Sequence, residues 1–191
     1  QGDILKLDQL EREFDIVECV GVLHHMDDPL AGWNVLVGML RRGGLMMVGL
    51  YSEIARQHIV EARREIMKKE YTSSPGDIRR YREEVIKLGL DSNSEVIKVL
   101  GLRDFYSLST CRDLLFHVQE HRFTLPQIEE ALSDLGLKFL GFELEKSGIR
   151  NEFSELYPEK DALASLPLWQ QFELKNPNTF GGMYQFWVQK A

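Results

Sequence analysis

Two adjacent histidines, His24 and His25, are the residues of this chain whose side chains are best suited to chemistry. Imidazole has an unperturbed pKa of about 6.5, so it can accept and release a proton near neutral pH. The pair comes after a largely apolar run that begins at Phe14, and Tyr51 and Ser52 end a second apolar run. His25 is therefore a candidate general base, and His24 and Tyr51 are candidates for contact with a substrate.

The hydrophobic pattern predicts the elements that carry these residues. Residues 14–20 and 45–51 are apolar runs of strand length, and residues 30–40 between them have apolar side chains at helical spacing. Asp28 is placed to cap that helix, with Pro29 at its first position. Such a strand, helix, strand unit indicates parallel strands of an α/β sheet, covered on both faces. Ligands of these sheets bind at the carboxyl ends of the strands, where the histidines would lie.

Four short segments, in this order and spacing, resemble the class I S-adenosylmethionine-dependent methyltransferases. They are GDIL at residues 2–5, FDIV at 14–17, VLHH followed by DP at 22–29, and LRRGG at 40–44. The resemblance covers roughly the first 50 residues closely and the rest in outline. It implies that residues 14–20 form the fourth strand of the family's sheet and that residues 40–44 lead into the fifth.

The resemblance also implies roles for residues at the start of the chain. In the family, an acidic side chain at the position of Asp3 accepts a hydrogen bond from the adenine amino group, and the next backbone N–H, here that of Ile4, meets a ring nitrogen. The backbone of Val20 and Gly21 would line the same cleft. Two alternatives stay open: Asp3 as an ordinary turn aspartate, and His25 as a structural residue that holds the loop after the strand.

One part of the family pattern is absent, because the sequence has no glycine-rich loop of the GxGxG type. We therefore expect the chain to begin inside the third strand and to be the C-terminal part of a methyltransferase. Its S-adenosylmethionine binding would be weak or absent, and the chain would be inactive alone. The alternative is a non-catalytic α/β binding or assembly module without a functional cofactor site.

The remaining sequence predicts a helical insertion and then two strands. Residues 53–123 read as helices placed directly after the fifth strand, and Thr124 opens a further helix with a capping box. Residues 137–144 and 183–189 are strand-like and resemble the sixth and seventh strands, the last of them antiparallel. The predicted fold is thus a partial Rossmann-like α/β sheet, fourth to seventh strands, in one incomplete domain spanning residues 1–191.

The insertion contains two further candidates for a substrate pocket, Arg112 and His117. Residues 111–121 are predicted to be helical, which would place His117 and His121 on one face. A metal site would need a third ligand, so no metal is predicted. The alternative is a histidine pair that packs against neighbouring phenylalanines.

Composition narrows the class of partner. The formal net charge of −7 disfavours nucleic acid, whose phosphates require a positive field. No apolar run approaches the ~20 residues of a membrane-spanning helix, and two cysteines are too few for a disulfide framework. These features favour a cytoplasmic protein that acts on a small molecule, and a protein or RNA acceptor stays open as an alternative.

Loss of the first three strands would leave one edge of the fourth strand without a neighbour. Such an edge pairs readily with another chain. We therefore expect a homodimer through the fourth-strand edge.

Overall fold

The structure is a computed structural model that describes residues 2–89, 94–116, 119–144 and 147–191. The chain forms two compact units. The first comprises Gln1–Ala55 and Gln119–Ala191, and the second, Arg56–Val118, lies within the predicted helical insertion.

The regular elements alternate between strands and helices in the first unit and are helical in the second. In chain order they are β1 (Phe14–Val20), α1 (Pro29–Gly38), β2 (Leu40–Tyr51), α2 (Gln57–Lys68), α3 (Pro75–Leu88), α4 (Leu108–Leu115), α5 (Leu125–Asp134), β3 (Leu137–Phe142), α6 (Ser147–Leu156), α7 (Leu166–Lys175) and β4 (Met183–Lys190). Short 3₁₀ helices occur at Ile4–Leu10, Leu23–His25, Glu95–Gly101, Arg103–Tyr106 and Ala162–Ala164.

The four strands form one sheet in the order β1-β2-β4-β3. β1 and β2 are parallel, and β4 is antiparallel to both β2 and β3. The carboxyl ends of β1, β2 and β3 therefore share one edge with the amino end of β4, here called the carboxyl edge. The predicted partial α/β sheet with an antiparallel last strand is confirmed.

Local sequence signals set the helix starts near this sheet. The Asp28 side chain accepts a hydrogen bond from the N–H of Ala31 at 3.0 Å, as predicted for the cap of α1. Thr124 and Gln127 form the predicted capping box of α5. These caps satisfy N–H groups that have no partner in the first turn of a helix.

The two faces of β1 differ, so the prediction that this strand is covered on both faces is wrong. Val17 and Cys19 point toward the core that includes α1, and Cys19 is 5% exposed. Ile16 and Val20 alternate with them on the other face, where Ile16 is 56% exposed. Val20, on the same face, is 38% exposed, so the described residues leave much of this face open to solvent.

The start of the chain also differs from the prediction of a third strand. Residues 4–10 form a 3₁₀ helix that is capped by Asp3. No strand precedes Phe14 within residues 2–13. The polar side chains of this segment suit a turn-rich connection, and only Ile4 and Leu7 pack against the core.

The second unit has its own apolar core, to which α2, α3, α4 and the 3₁₀ helices between α3 and α4 contribute. The predicted helix over residues 111–121 is wrong at both ends, because α4 spans Leu108–Leu115. Ser107 caps it by accepting a hydrogen bond from the N–H of Thr110, a start signal that lies upstream of the predicted segment. His117 lies outside the described residues.

Candidate functional site

Three of the residues predicted to do chemistry come together at the carboxyl edge. The rings of His24 and Tyr51 are stacked, with centroids 3.6 Å apart and an angle of 23° between their planes. The ring of His25 meets His24 edge-on at 4.5 Å and Tyr51 at 5.7 Å. His24 is fully buried, whereas His25 and Tyr51 are partly exposed. The stack holds the ring of His24 against Tyr51, and His25 is the more exposed of the two histidines.

A segment that the sequence did not connect with the site runs along this edge. The return segment, residues 119–123, comes directly after the second unit. The N–H of His121 donates to the carbonyl of His24, and the N–H of Phe123 donates to the carbonyl of Tyr51, both at 2.8 Å. The segment therefore joins the ends of β1 and β2. Its backbone makes these bonds, so no side-chain pattern could have revealed them.

The return segment also determines which nitrogen of His25 can act as a base. The Nδ1 atom of His25 lies 3.2 Å from the carbonyl oxygen of Gln119. A carbonyl oxygen only accepts hydrogen bonds, so Nδ1 must carry the proton. In the neutral imidazole the lone pair is then on Nε2. His25 thus has the tautomer and the orientation of a histidine that takes a proton through Nε2.

A buried polar network begins at Ser52, the residue after Tyr51, and was not predicted from the sequence. Glu173 of α7 is fully buried, and its two carboxyl oxygens accept hydrogen bonds from Ser52 at 2.8 Å and Tyr184 at 2.7 Å. Ser52 also accepts a hydrogen bond from the N–H of Ala55 at 3.0 Å, which fixes the turn after β2. The signal in the sequence is that Glu173 shares the apolar stripe of α7 with Trp169, four residues earlier.

Burial perturbs the acid–base chemistry of this network. The pKa of Glu173 is raised, chiefly because burial disfavours its charged form, although the bonds from Tyr184 and Ser52 act in the opposite direction. Burial also raises the pKa of Tyr184, to which the neighbouring carboxylate adds. Both shifts favour neutral groups in the folded chain.

The residues implied to hold the adenosine part of a cofactor lie at the start of the chain and at the end of β1. The Asp3 side chain is about half exposed. One of its oxygens accepts from the N–H of Leu5 at 3.0 Å. Ile4 begins the 3₁₀ helix, so its N–H has no earlier helical carbonyl to bond. Gly21 has a φ of +77°, and no side chain limits approach to the backbone there. Val20 is partly exposed beside it. Their role as adenine ligands stays a prediction, and the bond from the N–H of Leu5 to Asp3 is what the ordinary turn role predicts.

The other two pocket candidates belong to the second unit. Arg112 lies on α4, where its Nε donates to the carbonyl of Ser73 at 3.2 Å. Its side chain therefore holds a loop of its own unit. His117 falls outside the described residues, and His121 lies in the return segment rather than on a helix. His121 therefore does not lie on a helix, as the predicted pair on one helical face required.

Metal ligation and membrane crossing both lack support in the part of the chain that the structure describes. These residues contain no group of three or more His, Cys, Asp or Glu side chains that could hold a metal ion. They also contain no helix that is both long and apolar enough to cross a membrane.

We expect the raised pKa of Glu173 to make the free energy of unfolding depend on pH. Folded chains hold a proton that unfolded chains, with an ordinary glutamate pKa of about 4.3, release. Stability should therefore fall as the pH rises from about 4.3 through the raised value. In urea titrations over this range, Glu173→Gln should gain stability relative to the parent as the pH rises. Glu155→Gln, an exposed control on α6, should show no such trend. A stability difference between parent and Glu173→Gln that is constant with pH contradicts this expectation.

Comparison with known proteins supports the assignment made from the sequence. Residues 1–48 match the family model described as a methyltransferase domain. An uncharacterized protein of Synechococcus, syc1184_c, is 29% identical over 176 residues, which cover 87% of this chain and 41% of that protein.

Two solved structures of PKMT2 from Rickettsia typhi are similar to 98% of this chain and to 37% of theirs. One has a TM-score of 0.72 at 15% identity, and the other, in complex with AdoHcy, has a TM-score of 0.65 at 17% identity. At these identities the likeness establishes the fold alone. The chain spans about two fifths of the length of these relatives. The match over residues 1–48 and the shared fold agree with the resemblance to the class I S-adenosylmethionine-dependent methyltransferases that the sequence motifs indicate.

Proposed function

We propose that the chain forms part of an enzyme that transfers a methyl group from S-adenosylmethionine to a small-molecule acceptor. The observation that carries the proposal is His25, held through Nδ1 at the carboxyl edge of a methyltransferase sheet. The presence of AdoHcy in one structure of PKMT2 supports the choice of cofactor. Both cysteines are free thiols, in keeping with a reducing compartment, and the proposed location is the cytoplasm.

The residues of this chain would bind the cofactor, orient the acceptor and remove the acceptor's proton. S-adenosylmethionine, when bound, supplies a methyl group already activated on a sulfonium, so alignment and the exclusion of water account for most of the rate. Asp3 and Ile4 would hold the adenine, and Val20 and Gly21 would line the cleft. His25 would take the acceptor's proton on Nε2.

Two further candidates, His24 and Tyr51, would contact the acceptor, because their stacked rings lie beside His25. Arg112 and His117 of the second unit stay predictions from the sequence. A small molecule suits these groups better than a nucleic acid, because the net charge of −7 repels phosphates.

The cofactor affinity of the chain tests the proposed binding residues. Because the sequence has no GxGxG loop to contact the methionine part, we expect AdoHcy to bind this chain more weakly than micromolar in calorimetric titration. Asp3→Ala should weaken that binding further by about 1–3 kcal/mol, the cost of an unpaired hydrogen-bonding group. Asp8→Ala, an exposed control in the same 3₁₀ helix, should not. Sub-micromolar affinity contradicts the first expectation, and equal affinities of parent and Asp3→Ala remove Asp3 from the site.

Complete absence of AdoHcy binding would favour the second candidate function, a non-catalytic binding or assembly module. That candidate has no functional cofactor site. It predicts that AdoHcy has no effect on either the parent or Asp3→Ala.

A base role for His25 has both a kinetic and a spectroscopic consequence. In a full-length version of the protein that transfers methyl groups, His25→Ala should lower kcat by about 10²- to 10⁴-fold. The affinity for AdoHcy should stay unchanged. Nitrogen NMR of the parent should show the proton on Nδ1. A protonated Nε2 in the neutral ring, or loss of folding stability with unchanged kcat, would assign His25 a structural role instead.

We also propose that two copies of the chain associate through the outer edge of β1. Support comes from the exposed apolar face with Ile16 and Val20 next to a strand edge. Ile16→Lys should then halve the mass measured by light scattering, whereas Leu156→Lys, equally exposed on α6, should leave it unchanged. A monomeric parent at high micromolar concentration is incompatible with this dimer.

A further inference from the structure

A cavity of about 110 Å³ opens at the carboxyl edge beside the ends of β3 and β4. Its walls are of mixed polarity: Leu144, Ile149, Phe180 and Met183 contribute apolar surface, and the polar groups include Glu143. None of the candidate cofactor or substrate ligands of the carboxyl edge lines it. All of its lining residues belong to the first unit.

The cavity adjoins the proposed cofactor cleft across the sheet. Val20 of β1 pairs with Gly49 of β2, and Gly49 pairs with Gln185 of β4, which lines the cavity. Paired residues of neighbouring strands present the same face of a sheet. Gly21 follows Val20, and a Cβ atom added to Gly21 would lie 4.0 Å from the Met183 side chain. Cleft and cavity are therefore neighbours on one sheet face, with β2 between them at Gly49.

The electrostatics of the cavity select the charge of its ligand. Among the described residues that line the cavity, Glu143 is the ionisable one, and it is exposed to solvent. Among the described residues, its carboxylate makes no hydrogen bond or ion pair. Its backbone N–H is bonded to the carbonyl of Gln185 at 2.8 Å, which fixes its position beside β4. A cation with an apolar body would satisfy the carboxylate and cover the apolar walls.

The aromatic ring and the volume limit the ligand further. Phe180 is held by Phe142 and Tyr184, with ring centroids at 4.5 Å and 4.8 Å, so its ring is fixed in the wall. Aromatic faces attract ammonium groups. A cavity of about 150 Å³ takes up benzene, so a space of this size suits a chain of about four or five non-hydrogen atoms.

We propose that this cavity is the subsite for a primary alkylamine on the methyl acceptor, with Glu143 as the residue that selects the ammonium group. The inference rests on the proposed function and gives it a substrate class, an amine-bearing small molecule. Glu143 acts in binding and specificity, and proton removal remains with His25.

The test compares two probes of equal length that differ in charge, n-butylamine and n-butanol. Amide NMR titrations without cofactor should show shifts at Glu143, Phe180 and Met183, with the amine bound about tenfold more tightly. Glu143→Gln should lower amine affinity to that of the alcohol and leave alcohol affinity unchanged. Glu155→Gln removes the same charge from exposed α6 and should leave both affinities as in the parent.

Several outcomes would overturn the proposal. They are equal affinity for the two probes, absence of binding by the amine, shifts confined to other residues, and equal effects of Glu143→Gln and Glu155→Gln. Failure of amine binding in a chain that binds AdoHcy rejects the amine subsite alone. Amine binding that depends on Glu143 supports the subsite whether or not the chain binds AdoHcy, so the subsite is tested separately from the methyl-transfer function.

Discussion

The parallel pairing of β1 with β2 is the constraint on which the candidate site depends. Because the two strands run in the same direction, the loop after β1 and the last residues of β2 meet at one edge. That is how His25 and Tyr51, far apart in the sequence, come to have ring centroids 5.7 Å apart. Parallel pairing requires a crossover, and α1, capped by Asp28, provides it. The chemistry of the edge is thus a consequence of the crossover connection.

Pairing alone brings the strand ends together without fixing the loops beyond them. The return segment does this from the front, with hydrogen bonds to the carbonyl groups of His24 and Tyr51. The network around Glu173 does it from behind, through Ser52. A buried carboxyl group is costly unless both oxygens are satisfied. Its position next to the proposed site suggests that a defined turn after β2 is worth that cost.

The sequence predicts the parts of this arrangement that are local. Hydrophobic periodicity and capping residues predict α1, α5 and the strands, because these signals lie within the short segment whose backbone they determine. The resemblance places Asp3, Gly21 and His25 at the edge. The contact between His25 and Gln119 joins residues 94 positions apart through a backbone carbonyl, and no side-chain type records such a bond. The end of α4 and the exposed face of β1 were missed for similar reasons, since burial depends on what packs nearby.

Solvation gives two glutamates at the same edge different roles. Glu173 is fully buried, and both its oxygens accept hydrogen bonds from neighbouring hydroxyl groups. A ligand cation would have to break those bonds and enter a dry interior to reach it. Glu143 is open to solvent, and the described residues offer its carboxylate no competing partner. An exposed carboxylate beside apolar walls attracts a cation without breaking anything first. The buried glutamate therefore belongs to the framework of the edge, and the exposed one is the group that an incoming ligand meets.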